Sequence, residues 1–244
     1  MAGSPGGMAN WACWMSAIGA ALVVVAPVLH RVGVLPLGPA LLAVPVGILV
    51  SLIALLLAAM VLIGGRPMPA GRNVVLGAAL ASAVTGLLPV ILALPGLRAP
   101  AIHDITTDMD APPQFEAVVA LRANAPNSLE YGGAEVAAMQ QEGYPDLDTL
   151  VVGIAPAQLV DHARDVAADM GWQIVAADAS AGRLEASDTT FWFGFTDDIV
   201  VRARAVAGGT EVDVRSVSRV GVSDLGANAQ RIRAFLGRLS AASS

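Results

Sequence analysis

Residues 199–239 read IVVRARAVAGGTEVDVRSVSRVGVSDLGANAQRIRAFLGRL, and this stretch decides the fold of the C-terminal half. Apolar and polar residues alternate on both sides of Val206-Ala207-Gly208-Gly209, which predicts two half-buried strands joined by a tight turn. Pairing Ala205 with Thr210 sets the register. The same register gives the further pairs Ala203–Val212, Val201–Val214, Arg204–Glu211 and Arg202–Asp213. We expect the charged pairs to be exposed and structural, each contributing about 0.2–1 kcal/mol.

The hairpin leads directly into a predicted amphipathic helix. Ser223 and Asp224 stand at its N-cap, where their side-chain oxygens can accept from the free N–H groups of the first turn. The apolar stripe comprises Leu225, Ala229, Ile232, Leu236 and Leu239. The polar residues outside that stripe are Asn228, Gln230, Arg231 and Arg238. The stripe is expected to cover one face of the hairpin.

The N-terminal part of the chain has the composition of a membrane protein. Mean hydropathy over the 244 residues is +0.65, and 55% of them are hydrophobic. The first 98 residues contain four arginines and no acidic residue, whereas the remainder has a formal charge of −10. Apolar runs at residues 11–29, 40–63 and 74–94 each suffice for a bilayer span, which needs about 20 residues of helix. We therefore expect a multi-pass membrane protein, with the lipid bilayer as its first partner.

The connection between the second and third spans contains Arg66 and Arg72. It is the most basic short loop, and the positive-inside tendency predicts that it is cytoplasmic and that the C-terminal domain lies on the outer side of the membrane. No charged residue lies mid-span, so transport by these helices alone is not expected. Small residues along the third span either permit close helix approach or reflect an alanine-rich helix packing against its neighbours: Gly77, Ala81, Ser82 and Gly86.

The segments divide the chain into a membrane region at residues 1–98, an irregular linker and wrapping segment at 99–149, an α+β domain at 150–240 and a tail at 241–244. Within the linker, one weak helix is predicted at residues 134–141. The domain begins with a strand at 150–154, a helix opened by Pro156 and ended by Gly171, and a hairpin at 172–187. With the second hairpin and final helix, this order predicts a two-layer α+β sandwich with a mostly antiparallel sheet.

Between the two hairpins lies the sequence Thr190-Phe191-Trp192-Phe193-Gly194-Phe195. Four aromatic residues in five positions are typical of a ligand wall, a partner hot spot or a membrane-interface belt. They are equally typical of a core at a strand crossover. Trp192 and Phe193 are therefore candidate ligand or partner contacts, with core packing as the alternative.

The sequence gives little support for catalysis or for metal binding. Asp104, Asp108 and Asp110 are weak candidates for cation binding, but their spacing matches no EF-hand, and such aspartates usually bond their own backbone. The stretch from Gly221 to Gly226 is spaced wrongly for a nucleophile elbow, and the N-cap explains Ser223. His103 and His162 belong to no catalytic or zinc pattern, and Cys13 is the single cysteine. We expect neither an enzyme nor a cofactor, and the acidic domain excludes nucleic acid.

Several separated motifs resemble the domain-of-unknown-function 1499 family over about residues 100–240. They are Asp104-Ile105-Thr106-Thr107-Asp108, Pro112-Pro113, Phe115, Trp172, Phe193-Gly194-Phe195-Thr196-Asp197-Asp198, Asp213-Val214-Arg215-Ser216-Val217-Ser218-Arg219-Val220-Gly221 and Ser223-Asp224-Leu225-Gly226-Ala227-Asn228. The resemblance implies no activity. It favours an envelope location, because bacterial members of that family are often membrane-attached or exported. Together with the three spans, the resemblance implies the bacterial inner (cytoplasmic) membrane, with the C-terminal domain on the periplasmic side.

The same motifs single out the candidate binding residues Arg215, Ser216, Ser218, Arg219, Asp224, Asn228 and Arg231. Clustered arginines and hydroxyls bind anionic head groups or carboxylates. Alternatively, Asp224 and Asn228 pair with Arg219 and Arg231 and lock the last strand to the last helix. The leading hypothesis is a membrane-anchored, non-enzymatic binding or accessory module of the bacterial cell envelope, which meets a protein partner or a lipid-like anionic ligand. The alternatives are a structural subunit acting through its membrane helices and an envelope hydrolase.

Overall fold

A computed structural model describes residues 5–64 and 71–242. Arg66, on which part of the orientation prediction depends, lies outside the described residues, as do the last two residues of the expected tail. The chain divides into two compact units. One comprises the chain up to Leu94 together with Trp192–Gly194, and the other comprises Pro95–Phe191 and the chain from Phe195 onward.

The first unit is built from three long helices: α1 (Pro5–Arg31), α2 (Leu37–Ile63) and α3 (Arg72–Ala93). By length and composition, each is apolar enough to cross a membrane. The three predicted apolar helices are therefore confirmed, and they indicate a multi-pass membrane protein. Each helix begins before its predicted apolar run, at Pro5, Leu37 and Arg72. The prediction marked only the most apolar residues, and the less apolar residues before them are helical as well.

Helices α1 and α2 approach closely where both lack side chains. A Cβ added to Gly47 would lie 2.7 Å from the Cβ of Leu22 and 2.9 Å from the carbonyl oxygen of Gly19. One turn further along α2, the hydroxyl of Ser51 lies 2.9 Å from that of Thr85 on α3. Small residues thus set the helix spacing here, as is usual for helices that pack in lipid.

The small residues predicted along α3 do not act as one stripe. Ser82 and Gly86 are buried against neighbouring helices, whereas Gly77 and Ala81 are exposed. A helix turns about 100° per residue, so positions 81 and 82 face different directions. The buried stripe is instead Val75, Ser82, Thr85 and Gly86.

The second unit contains a six-stranded sheet whose paired strands are all antiparallel. Its elements are β1 (Asp104–Thr106), α4 (Gly133–Gly143), β2 (Leu150–Val152), α5 (Pro156–Asp169), β3 (Gln173–Asp178), β4 (Arg183–Thr189), β5 (Thr196–Val206), β6 (Gly209–Ser218) and α6 (Ala227–Ala242), with short 3-10 helices at Gly96–Arg98 and Ala117–Arg122. The strand order is β1-β6-β5-β4-β3, and β2 also pairs with β6. The predicted α+β fold with a mostly antiparallel sheet is confirmed.

The register predicted for the second hairpin is confirmed at all five positions, from Ala205 opposite Thr210 to Val201 opposite Val214. A positive φ at Gly208 lets the two strands reverse within a tight turn. Strand β1 was not predicted, because a three-residue strand in a proline-rich segment has no detectable alternation. It pairs with residues 215–217 of β6, and β2 pairs with residues 210–212 of the same edge.

Helices α5 and α6 pack on one face of the sheet, which we call the helix face. The apolar residues that fill this interface include Leu159, Ala163, Leu184, Ile199, Val201, Val212, Val214, Ile232 and Phe235. Trp172 stacks on Phe235 with ring centroids 5.1 Å apart. The hydrophobic core of this unit therefore lies between the helices and the sheet.

Two details of α6 differ from the prediction. The helix begins at Ala227, and Leu225 precedes it with a φ of 54° and an exposed side chain, so Leu225 is not part of the apolar stripe. Phe235, which the predicted stripe omits, is fully buried in the core. Asn228 and Arg231 are buried too, because the strand residues opposite them on the helix face are polar.

The opposite face of the sheet is covered by the chain between β1 and α4, and we call it the charged face. Phe115 and Val118 of this covering segment pack on Val200 and Val217. Asp213 is fully buried and Arg202 is half-buried, so this pair is not exposed as we expected, whereas Arg204 remains exposed opposite the partly exposed Glu211. Their position under a covering segment could not be read from strand alternation alone.

Candidate functional site

The charged face gathers most of the buried ionic groups of the second unit. Because side chains alternate along a strand, residues that flank the apolar core positions point to this face. They include Glu185, Ser187, Asp198, Arg202, Asp213, Arg215 and Arg219. Buried charges require partners, so the partner of each guanidinium decides whether an outside ligand can reach it.

Arg215 is fully buried and paired with Asp104 of β1. Its Nε donates to Asp104 Oδ1 at 2.9 Å and its Nη2 to Oδ2 at 2.7 Å, while two backbone carbonyls accept further bonds. The guanidinium lies over the rings of Phe115 and Tyr131, at 5.3 and 5.5 Å from their centroids. Burial raises the pKa of Tyr131 to about 12, with Asp104 adding to the rise and Arg215 opposing it. Both side chains of this pair are buried.

Asp198 of β5 is shared by two arginines. Arg122 Nη1 donates to its Oδ2 at 2.6 Å, and Arg219 donates to both oxygens at 2.9 and 2.8 Å. Ser187 donates to Oδ1 at 2.6 Å. Burial alone would raise the pKa of Asp198, but the hydrogen bonds from Arg219, Ser187 and Arg122 together hold it below its usual value.

This trio therefore has two positive charges for one negative charge. Arg215 and Asp104 form a balanced pair, and three other ion clusters of the sheet have more carboxylates than arginines. Arg231 faces Asp188 and Asp197, and Arg183 faces Glu116 and Glu185. The cluster of Arg202 and Arg204 contains the three carboxylates of Asp108, Glu211 and Asp213.

Arg219 borders a surface depression of about 370 Å³. The rest of its lining comes from the covering segment, namely Ala120, Leu121, Ala123, Asn124, Ala125 and Pro126. The side chain of Arg219 keeps 24% of its surface exposed, in contrast to that of Arg215. Asn127 fixes the end of this segment by donating to the carbonyls of Ser218 and Gly221. The depression is thus an open concavity with an arginine in its wall and no carboxylate among its lining residues.

On the helix face, four of the residues predicted as a site come together. Asn228 donates to Ser218 Oγ at 3.0 Å and accepts from Ser216 Oγ at 2.6 Å. Arg231 donates to Asn228 Oδ1 and to Ser216 Oγ, and it also binds Asp197 at 2.7 Å. These contacts join β6 to α6, which is the arrangement of the predicted lock.

The remaining partners of that lock differ from the prediction. Asp224 accepts from the backbone N–H groups of Gly226 and Asn228, both at 2.8 Å, and so caps α6. Burial raises the pKa of Asp224 despite these two bonds. Arg219 lies on the charged face and pairs with Asp198 rather than with Asp224. The seven residues singled out in this region are therefore divided between the two faces of the sheet.

The aromatic candidates belong to a different unit from the arginines. Trp192 and Phe193 contact each other edge to face, with ring centroids 5.7 Å apart, and both are half-buried. They group with the unit of apolar helices, whereas the flanking Phe191 and Phe195 belong to the sheet unit.

The three aspartates proposed as weak cation ligands do not converge. Asp104 pairs with Arg215, Asp108 bonds Arg202 at 2.8 Å, and Asp110 is exposed. Among the described residues, no group of three or more His, Cys, Asp or Glu side chains could hold a metal ion. Ser223 accepts from the N–H of Leu225, which precedes α6, so it forms a local turn and is not the predicted N-cap.

Sequence reasoning missed Arg122 and Asp198 as parts of the charged face. Asp198 falls within a motif shared with the family, but its role depends on Arg122, which lies 76 residues away in the chain. Arg122 lies in a 3-10 helix within a segment that gave no periodic signal. The surplus of arginine over carboxylate becomes visible only when the covering segment is placed on the sheet.

Comparison with known proteins gives a family and no activity. Residues 104–239 match a family described as "Protein of unknown function (DUF1499)". A search of curated proteins found no match. The matched region begins at β1 and ends within α6, so it includes both faces of the sheet.

Proposed function

The chain belongs to the DUF1499 family, and from that premise we propose that it is a membrane-anchored binding module of the cell envelope that binds an anionic group at Arg219. The observation that supports this proposal is the charge balance around Asp198. One carboxylate cannot neutralise both Arg122 and Arg219, so a ligand with a negative charge would complete the cluster. The adjacent depression provides room for such a group.

The ligand class follows from the shape and chemistry of the depression. Its wall is mostly small and aliphatic, and Asn124 and Arg219 supply the polar side chains. A phosphate or carboxylate attached to an apolar body fits this combination, because the anion meets the guanidinium while the body lies on the aliphatic wall. We therefore propose a lipid-like anion, either a lipid head group or a soluble acid with an apolar part.

The buried residues from the sequence-derived set have a supporting role in this proposal. Arg215 holds the covering segment to β1 and β6, and Ser216, Ser218, Asn228 and Arg231 hold α6 to β6. These contacts keep β6 in place, and β6 leads directly into Arg219. Trp192 and Phe193 remain candidates for a separate contact, because they belong to the helical unit.

The proposed location is the inner (cytoplasmic) membrane of a bacterium, with the sheet unit on the periplasmic side. Arg72 at the start of α3, together with Arg66 in the sequence, favours a cytoplasmic loop between α2 and α3. Cys13→Ser removes the single cysteine, so Ala207→Cys in an exposed turn can report sidedness. We expect a membrane-impermeant maleimide to label this engineered thiol in intact spheroplasts, and labelling only after lysis would contradict this orientation.

Binding is tested with the full chain in a neutral detergent. The probes are inorganic phosphate and a short-chain lysophosphatidic acid, and the readout is the shift in thermal unfolding midpoint with probe concentration. A ligand at 100 times its Kd stabilises the folded state by about 2.7 kcal/mol, which gives a measurable upward shift. We expect saturable stabilisation by at least the lipid-like probe, and no saturable stabilisation by sodium chloride at matched ionic strength.

Two variants test the site itself. Arg219→Gln removes the surplus charge and leaves Asp198 paired with Arg122, while Ala123→Glu places a carboxylate in the depression without touching that pair. Both are expected to lose the stabilisation. Arg204→Gln is the matched control, because Arg204 is more exposed but belongs to a cluster with surplus carboxylate. If Arg204→Gln reduces binding as strongly as Arg219→Gln, the anion site at Arg219 is refuted.

A further inference from the structure

Three connections of the sheet unit meet at the same end of the sheet. The strand registers place Thr189 beside Thr196, Asp197 beside Ser218 and Asp104 beside Val217. The β4–β5 connection, the β6–α6 connection and the segment that leads into β1 therefore all lie at one end. Pro95 starts this last segment, and residues 95–103 connect the helical unit to the start of β1 along the chain.

Large apolar side chains are exposed at this end. Phe191 in the β4–β5 connection is 89% exposed, and Val222 in the β6–α6 connection is 77% exposed. Leu97, directly after α3, is 69% exposed, and Leu225 is 52% exposed. The turns at the other end, around residues 178–182 and 207–208, contain only small and polar residues. Exposed apolar clusters of this kind mark a contact surface.

The loop that presents Val222 and Leu225 is held in place. His103 Nδ1 is 3.3 Å from the carbonyl oxygen of Val222, and the backbone N–H of Asp224 donates to the carbonyl of Ile102 at 3.2 Å. Leu225 has a φ of 54°, which is unfavourable for a bulky side chain. The fold thus accepts local backbone strain while this leucine remains at the surface, and such strain concentrates at functional positions.

We propose that this end of the sheet unit, defined by Leu97, Phe191, Val222 and Leu225, contacts the interfacial region of the same lipid bilayer that α1–α3 are long enough to cross. Exposed aromatic and aliphatic side chains suit the boundary between head groups and acyl chains. Exposed Arg98 lies beside Leu97 and suits the phosphate level of that boundary.

The contact is tested in nanodiscs that contain one full-length chain in phosphatidylcholine, which avoids the anionic head groups used for Arg219. In a Cys13→Ser background, Val222→Cys and Phe191→Cys receive an environment-sensitive NBD fluorophore. Ala207→Cys, in an exposed turn at the opposite end, is the matched control. We expect blue-shifted emission at positions 222 and 191, and loss of that emission when lipids with a head-group-proximal nitroxide are included.

The control is expected to show water-like emission and no quenching. Emission at positions 222 and 191 that equals that at position 207 would overturn the proposal. A blue shift without quenching by nitroxide lipids would also overturn it, because the surrounding groups would then be protein. Circular dichroism and size exclusion of each labelled variant show whether the chain is still folded, and the two independent positions guard against a local effect of one label.

Discussion

Removing the positive charge of Arg215 is expected to open the sheet unit. Arg215→Met leaves the carboxylate of Asp104 only 5% exposed and without its guanidinium. Breaking a buried ion pair from one side typically costs about 3–5 kcal/mol, which is a large part of the about 5–15 kcal/mol that stabilises a domain. The variant should therefore populate open states far more often than the original chain.

Hydrogen–deuterium exchange of the full chain in detergent measures this effect. Amide exchange in β5 and β6 reports the free energy of opening of the sheet, and about 1.4 kcal/mol corresponds to a tenfold change. A cost of about 3–5 kcal/mol predicts exchange that is faster by about 10²–10⁴-fold. Peptides of α1–α3 serve as an internal reference, because the substitution lies outside the helical unit.

Two further variants separate charge from packing. Asp104→Asn combined with Arg215→Met removes both charges and should regain part of the lost protection. Arg164→Met removes an arginine that is 46% exposed and paired with Asp161, and it should change stability by less than about 1 kcal/mol. If the double variant exchanges as fast as Arg215→Met alone, the uncompensated charge is not the cause and the reasoning is refuted.

The remaining predictions concern packing and pH. Gly47→Val should lower the melting temperature of the detergent-solubilised chain, measured by size exclusion after heating, because the new side chain meets α1. Gly38→Val is the control and should leave the melting temperature unchanged, because a side chain there has open space. Equal losses in the two variants would contradict the close approach of α1 and α2. Phe235→Ala should lower the free energy of unfolding by about 3–5 kcal/mol, as for other buried aromatic residues, and hydrogen–deuterium exchange in α6 measures this loss. A loss below about 1 kcal/mol would show that neighbouring side chains fill the cavity. The pKa of Asp198 is lowered in the folded state, so its stabilising contribution is present above the usual Asp value of about 3.9 and is lost as pH falls through the lower folded pKa. The stability difference between the original chain and Asp198→Asn should therefore be large at about pH 6 and shrink below about pH 4; a difference independent of pH would contradict this.

The hairpin of β5 and β6 could be predicted residue by residue because its two signals agree. Alternation set the faces and the turn set the register, and both are local in sequence. The three long apolar helices were equally accessible, since length and hydropathy suffice to recognise them. Strand β1 had neither signal, and its pairing with β6 depends on a contact more than 100 residues away in the chain.

The candidate site was only partly accessible for the same reason. Arg219 was singled out by a motif, but its partner Asp198 and its neighbour Arg122 could not be assigned without the covering segment. Burial of Arg215 and Asn228 was also hidden, because charged and amide side chains ordinarily indicate a surface. Strand alternation tells which residues share a face, but it does not tell which faces a later or earlier segment will cover.

Strand β6 has three partners, and this has a consequence for how the chain folds during synthesis. It pairs with β5 beside it and with β1 and β2, which are made much earlier. At a typical elongation rate of about 5–20 residues per second, β1 waits roughly 5–25 s after its own synthesis for β6. During that interval the early strands and their charged residues have no sheet to join. A nascent chain stopped just before β6 should therefore be sensitive to protease throughout residues 104–208, and one extended through α6 should become resistant in a single step.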